Sequence, residues 1–363
     1  MNGFPDWFNF SFQPLWDNAL ADQVFQGRKS FSEFSRRPFV LGFQHWTKTR
    51  FNWPYQFSFN LINGVALVAF FSLLPKLEYA FNPKLGQANK YILVYTLLHL
   101  PIIYVFFSLI YTYDDLVQYV LVIIALIYFQ NNKLLLAVLA FSLACIARET
   151  SFLYLPLLLF LQYQKNGLGL SFLMLLILPL LSYVLFIHFY VDVEINNDSA
   201  IYLKEERFGH LKRNFLNWER TRETITVVIT MLGMPTYLFW RSLRRHKERQ
   251  LSKLAYALIL TNAVVVLIGA LAREARLLYL PLIFANAVYA VEIKDAFQEF
   301  YIRVRYGGIL RKSMIISSSI LISVFWYPQD IYVMKLYFFF YFYVLFELML
   351  SRTNFKLALP KVL

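Results

Sequence analysis

The chain is poor in most of what a soluble protein relies on. Only 16% of its 363 residues are charged, and it holds 12 glycines, 5 histidines and a single cysteine. One cysteine excludes an internal disulfide framework, and Cys145 lies in an apolar run where packing is its expected role. His45 and His210 have no partner at ligand spacing, which argues against a histidine-based metal centre. There is no Gly-rich phosphate loop, nucleophile elbow, internal repeat or low-complexity tract. What fills the chain instead is apolar: 59% hydrophobic and 19% aromatic, with a mean hydropathy of +0.50. Soluble globular domains do not sustain such values.

The expected fold is therefore all-α, a polytopic transmembrane helix bundle. Apolar runs recur from Phe57 onward at approximately 57–75, 91–110, 116–130, 134–147, 152–163, 170–190, 224–240, 254–271, 277–291, 313–328 and 331–350. Read as helices, these are about eleven spans (a range of about 10–12) across a hydrocarbon core of roughly 30 Å. Three regions follow. Residues 1–56 form an aromatic interfacial segment, 57–291 the main transmembrane module, and 292–363 a C-terminal transmembrane hairpin with a cytosolic tail.

Charge orients the bundle. Lys and Arg exceed Asp and Glu by 35 to 22, giving a net charge of +13. In a soluble chain that surplus would point to nucleic acid, whereas in a membrane chain it belongs in cytosolic loops, so no nucleic-acid partner is expected. The most basic loop, "RSLRRHKERQLSK" at 241–253, is placed inside. Alternation then puts 19 Lys and Arg in the inner segments and 9 in the outer loops between spans. Residues 1–56 fall on the outer side by the same alternation although they carry Arg28, Lys29, Arg36, Arg37, Lys48 and Arg50. The outer loop 191–223 reads as one amphipathic helix along the interface, with Phe208, Leu211, Phe215 and Trp218 on its apolar side.

The unusual polar residues collect on the outer side. Asp114 and Asp115 sit in the turn "YTYDDLVQY", Arg148 and Glu149 in "ARET", and Arg273, Glu274 and Arg276 in "LAREARLLYLP". One Asp is explained as a helix cap. Two adjacent carboxylates call for a cation, either a divalent metal such as Mg or Mn held by Asp114 and Asp115, or a basic neighbour. As an active pair, one of them would serve as general base on an acceptor hydroxyl. Arg148 and Glu149 cannot face lipid without cost. Either they join Arg273 and Glu274 in a salt-bridge lattice, or Arg148, Arg273 and Arg276 grip a phosphate while Glu149 and Glu274 orient the guanidiniums.

In their order these pieces resemble the GT-C superfamily of polytopic glycosyltransferases, in particular the protein O-mannosyltransferase type. The resemblance rests on "SRRPFVLGFQHW" with Arg37 and Pro38, "FSFNLING" with Asn63, "ARETSFLYLP", and "REARLLYLP" with Glu274, Arg276, Tyr279 and Pro281. It runs loosely from residue 14 to 290. It implies sugar transfer from a polyprenyl-phosphate carrier to an acceptor on the extracytoplasmic face of a bacterial inner membrane. It also implies a catalytic acid in the first outer loop, for which Asp17 in "PLWDNALADQ" is the preferred match and Asp6 and Asp22 are rivals. The family carries a transmembrane helix before that loop, where this chain has its interfacial segment. Two other functions fit a bundle of this composition: a transporter or flippase of lipid-linked glycans, and a non-catalytic subunit with a membrane-protein partner.

Overall fold

The computed structural model describes residues 38–83, 91, 95–96, 114–191, 209–245, 250–269, 276–306, 308–323 and 332–349. Among them the architecture is all-helical, with no strand. The first half contains α1 (Pro38–Phe51), α2 (Tyr55–Phe81), α3 (Asp115–Gln130), α4 (Leu134–Ala147), a 3-10 helix (Glu149–Tyr154), α5 (Leu155–Asn166) and α6 (Leu170–Phe186). The second half contains α7 (Gly209–Asn214), α8 (Trp218–Arg245), α9 (Gln250–Gly269), α10 (Arg276–Val288), α11 (Ala290–Tyr306), α12 (Ile309–Leu321) and α13 (Tyr332–Met349).

Among the described residues, three helices are long and apolar enough to cross a membrane: Tyr55–Phe81, Leu170–Phe189 and Gln250–Ile268. Shorter apolar helices accompany them at Asp115–Gln130, Leu134–Ala147, Leu278–Val288 and Phe339–Met349. The apolar runs read from the sequence thus fall on helices, but several helices are shorter than a span. At 1.5 Å per residue, the 14 residues of α4 reach only about 21 Å. The expected run 91–110 lies almost wholly outside the described residues, as does residues 1–37 of the interfacial segment.

Helix α2 shows how pattern becomes packing. Phe59, Asn63, Ala66, Phe70, Leu74 and Leu77 recur at helical spacing and are buried, while Leu61, Val65 and Val68 on the other side are exposed. In water that second face would be a defect; against acyl chains it costs nothing. Helix α6 carries the logic further. Of its residues only Leu175 and Pro179 are buried, Leu176 and Leu178 pack partly against the core, and Leu173, Ile177, Leu180, Leu181 and Val184 stay exposed, which marks it as peripheral. Gly167 closes α5 at a φ of +66°, the left-handed conformation that a side chain would oppose.

The outer loop does not form one amphipathic helix. Among its described residues, α7 ends at Asn214, and the backbone turns through Phe215–Asn217 before α8 begins at Trp218. The Asn217 side chain accepts the Arg220 N–H at 2.8 Å, which starts the new helix, and Asn214 donates to the Leu267 carbonyl at 3.0 Å, which pins the turn to α9. Leu211, Phe215 and Trp218, expected on one apolar side of that helix, are exposed across the break together with Leu216, and Phe208 lies outside the described residues.

Polar contacts sort into two ends of the bundle. At one end, the start of α1 meets the start of α3, α3 meets the turn after α4, and Asn214 meets the end of α9. At the other, Asn82 donates to the Ala287 carbonyl, Lys165 to the Phe129 carbonyl, Gln164 to Gln250, and Ser242 pairs with Ser252. Consecutive long helices therefore run up and down between two polar ends, with the apolar core between them.

Candidate functional site

The first end is built on the Asp114–Asp115 turn. Helix α1 opens at Pro38, which has no N–H, so the first backbone donors without an intrahelical acceptor are those of Phe39 and Val40. Asp114 takes both: its Oδ2 accepts from Phe39 at 2.9 Å and its Oδ1 from Val40 at 2.7 Å. The carboxylate thus caps a helix that starts some 75 residues earlier in the chain, while only its backbone carbonyl serves its own helix, accepting from Gln118. The negative charge also sits at the positive end of α1.

Asp115 turns the other way and forms an ion pair with Arg148. All three charged groups are buried, at 0% for Asp114, 1% for Asp115 and 7% for Arg148. The chain at Arg148 is extended, which breaks α4 and lets the 3-10 helix start. Gln118, one turn beyond Asp115, fastens that break by donating to Thr150 at 2.9 Å and to Ser151 at 2.8 Å. Ser151 in turn donates to the Ala144 carbonyl, which also accepts the Arg148 N–H at the end of α4. At the end of the 3-10 helix, Tyr154 donates to the Leu280 carbonyl of α10 at 2.6 Å.

Of the residues singled out from sequence, the structure joins Asp114, Asp115 and Arg148. Glu149 is exposed in the first turn of the 3-10 helix, and the buried counter-charge of Arg148 is Asp115. Arg276 is the first residue of α10, while Asp17, Arg273 and Glu274 lie outside the described residues, as do Asp6, Asp22 and Arg37. Asn63 is fully buried in α2 and donates to the Phe59 carbonyl at 3.0 Å; its side-chain oxygen has no hydrogen-bond partner. Tyr279 is buried in ring contact with Phe70 and Tyr119.

Two adjacent carboxylates at this turn require positive partners, and the protein supplies them as a helix terminus and a guanidinium. A divalent metal between Asp114 and Asp115 does not fit this arrangement. Both Asp114 oxygens accept backbone N–H groups, Asp115 faces a cation, and no group of three or more His, Cys, Asp or Glu side chains gathers among the described residues. The cluster positions backbone: it can hold three chain segments in register, but Asp114 has little capacity left to take a proton. Sequence reasoning did not single out Gln118, Thr150 and Ser151, although "DDLVQ" puts Gln118 on the helix face of Asp114 and Asp115.

Compared with family models, with curated proteins and with solved structures, the chain matches none.

Proposed function

We propose that this chain is a GT-C-like membrane glycosyltransferase, moving a sugar from a polyprenyl-phosphate carrier to an acceptor at the Asp114 end of the bundle. One observation carries the reading. The segments in which the resemblance lies converge there: Asp114 holds the start of "PFVLGFQHW", Asp115 holds "ARET", and Tyr154 holds "REARLLYLP" through Leu280. Segments up to about 240 residues apart in sequence share one end of the molecule.

In this reading Asp114 and Asp115 are positioning residues. The general base that deprotonates the acceptor hydroxyl is then Asp17, since Asp114 is engaged with Phe39 and Val40. Arg148 is held by Asp115, and together with Arg273 and Arg276 supplies the positive field for the departing lipid phosphate, with Glu149 and Glu274 at the same two turns. About eleven spans with the Asp114 end outward, in a bacterial inner membrane, complete the proposal. The basic segment 241–253 at the opposite end supports that orientation.

A second reading is favoured by the burial of Asp114, Asp115 and Arg148: a non-catalytic subunit in which the cluster only braces helices for a membrane-protein partner. Purified full-length chain in nanodiscs, given radiolabelled hexose on a short-chain polyprenyl phosphate together with hydroxyl-bearing peptide and glycan acceptors, separates the two. The enzyme releases polyprenyl phosphate, and Asp17→Asn stops release while donor binding remains. Neither binding nor release across a panel of hexoses would leave the subunit.

A further inference from the structure

The opposite end of the bundle holds a second charged assembly that the proposed reaction does not use. Arg241 of α8 grips Glu299 of α11 through both terminal nitrogens, one of them at 3.0 Å, and also donates to the Tyr237 hydroxyl at 3.2 Å. Arg303 donates to the same Glu299 carboxylate at 3.2 Å and to the Glu347 backbone carbonyl of α13 at 2.9 Å. Arg311 of α12 donates to the Glu347 carboxylate at 2.5 Å. Arg245 pairs with Asp295 at the edge.

Acceptors run short in this assembly. Each guanidinium carries five N–H donors, and Arg241, Arg303 and Arg311 share two carboxylates, a carbonyl and a hydroxyl. The Nε atoms of Arg241 and Arg311 are buried with no hydrogen-bond partner. Burial lowers the Arg303 guanidinium from its ordinary value, and the Arg311 charge adds to this against the pull of Glu299. Arg244, Arg305 and Lys312 lie within a turn of these arginines on the same helices and add positive charge.

The surroundings bear on which anion would suit these arginines. Trp240, Tyr301, Ile302, Ile309 and Leu310 are exposed on the same helices within a turn or so of these arginines. Large apolar and amphipathic aromatic side chains beside a cationic cluster belong at the boundary between acyl chains and headgroups. We infer that the Arg241–Arg303–Arg311 assembly is a binding site for the phosphate of an anionic phospholipid. The phosphodiester oxygens supply the acceptors that Glu299 and Glu347 leave wanting, and the acyl chains lie along the side of α12 that exposes Met314, Ile316, Ile320 and Leu321, opposite the buried Ile315. The inference is independent of the glycosyltransferase reading.

The test uses the full chain in nanodiscs of phosphatidylcholine alone or with phosphatidylglycerol, followed by native mass spectrometry of retained lipid. Phosphatidylglycerol should be retained over phosphatidylcholine. Arg303→Gln is the chosen variant because Glu299 keeps Arg241 and Glu347 keeps Arg311, so no buried carboxylate is stranded. Its retention of phosphatidylglycerol should fall about fivefold, while the chain still unfolds cooperatively in phosphatidylcholine. Arg245→Gln with Lys312→Gln, both at the edge, should lower retention again, whereas Arg50→Gln at the far end should not. Equal retention of the two lipids, or retention indifferent to all these arginines, overturns the site. Displacement by millimolar inorganic phosphate would overturn the lipid assignment in favour of a soluble anion.

Discussion

Asp115 and Arg148 form a buried ion pair across 33 residues of chain, and it joins the first turn of α3 to the extended break that ends α4. Its neighbour Asp114 is spent on the amides of α1. Two side-by-side carboxylates that would repel each other are thus divided between two different positive partners, and the division fixes where three segments start and stop.

Removing one member of the pair should be far worse than removing both. Asp115→Asn leaves a buried guanidinium without its counter-charge, at a cost of about 3–5 kcal/mol. Asp115→Leu combined with Arg148→Met should recover most of that loss. Arg148→Lys keeps the charge but loses the planar fork, so thermal unfolding should change little while sugar transfer falls. Unfolding of Asp115→Leu, Arg148→Met and their double variant in detergent gives the coupling; a double variant as unstable as Asp115→Asn would deny the ion pair its role.

Asp114 separates a cap from a base. As the cap of α1, Asp114→Ala should cost about 0.5–2 kcal/mol, and Asp114→Asn, which keeps one side-chain acceptor, less. Limited proteolysis near Phe39 should rise in the same order. A general base would behave otherwise, with Asp114→Asn abolishing transfer at unchanged stability.

Acid should loosen the Arg241 end first. Burial raises the Glu299 carboxyl, but its hydrogen bond to Arg241 and the charges of Arg241, Arg303 and Arg245 outweigh this and hold it below the ordinary value. A carboxyl lowered on folding stabilises the fold fully above its unfolded value, about 4.3, and loses that contribution as pH falls through the lower folded value. The melting temperature of the native chain should therefore drop below about pH 4 more steeply than that of Glu299→Gln. Parallel acid limbs for the two proteins would remove Glu299 from the account.

Sidedness is open to labelling. In a Cys145→Ala background, cysteine at the exposed position Glu149 should react only with reagent outside the cell, and cysteine at the exposed position Gln250 only with reagent inside. Reaction of both from one side would dissolve the orientation, and the outward placement of the Asp114 cluster with it.

Much of this protein follows from pattern alone. A run such as "LLLAVLAFSLACIA" has no stable form in lipid other than a helix, because nothing else satisfies its backbone there, and α4 occupies the expected residues. Charge statistics likewise place "RSLRRHKERQLSK" and the Asp114 turn at opposite ends, since each long apolar helix must carry the chain across. Which charges pair is a different kind of question. Arg148 beside Glu149 shows in sequence only a local neighbour, whereas in the fold the chain goes from helix into extended backbone at Arg148 and its buried guanidinium pairs with Asp115 on the neighbouring helix. Asp114 at the start of α3 suggests a cap for α3, yet it caps α1, because the first-turn amides of Phe39 and Val40 have no acceptor within their own helix and packing brings the Asp114 carboxylate to them. Adjacency in sequence fixes only local neighbours, whereas a buried charge selects whichever partner packing brings into reach, and helix packing alone decided that.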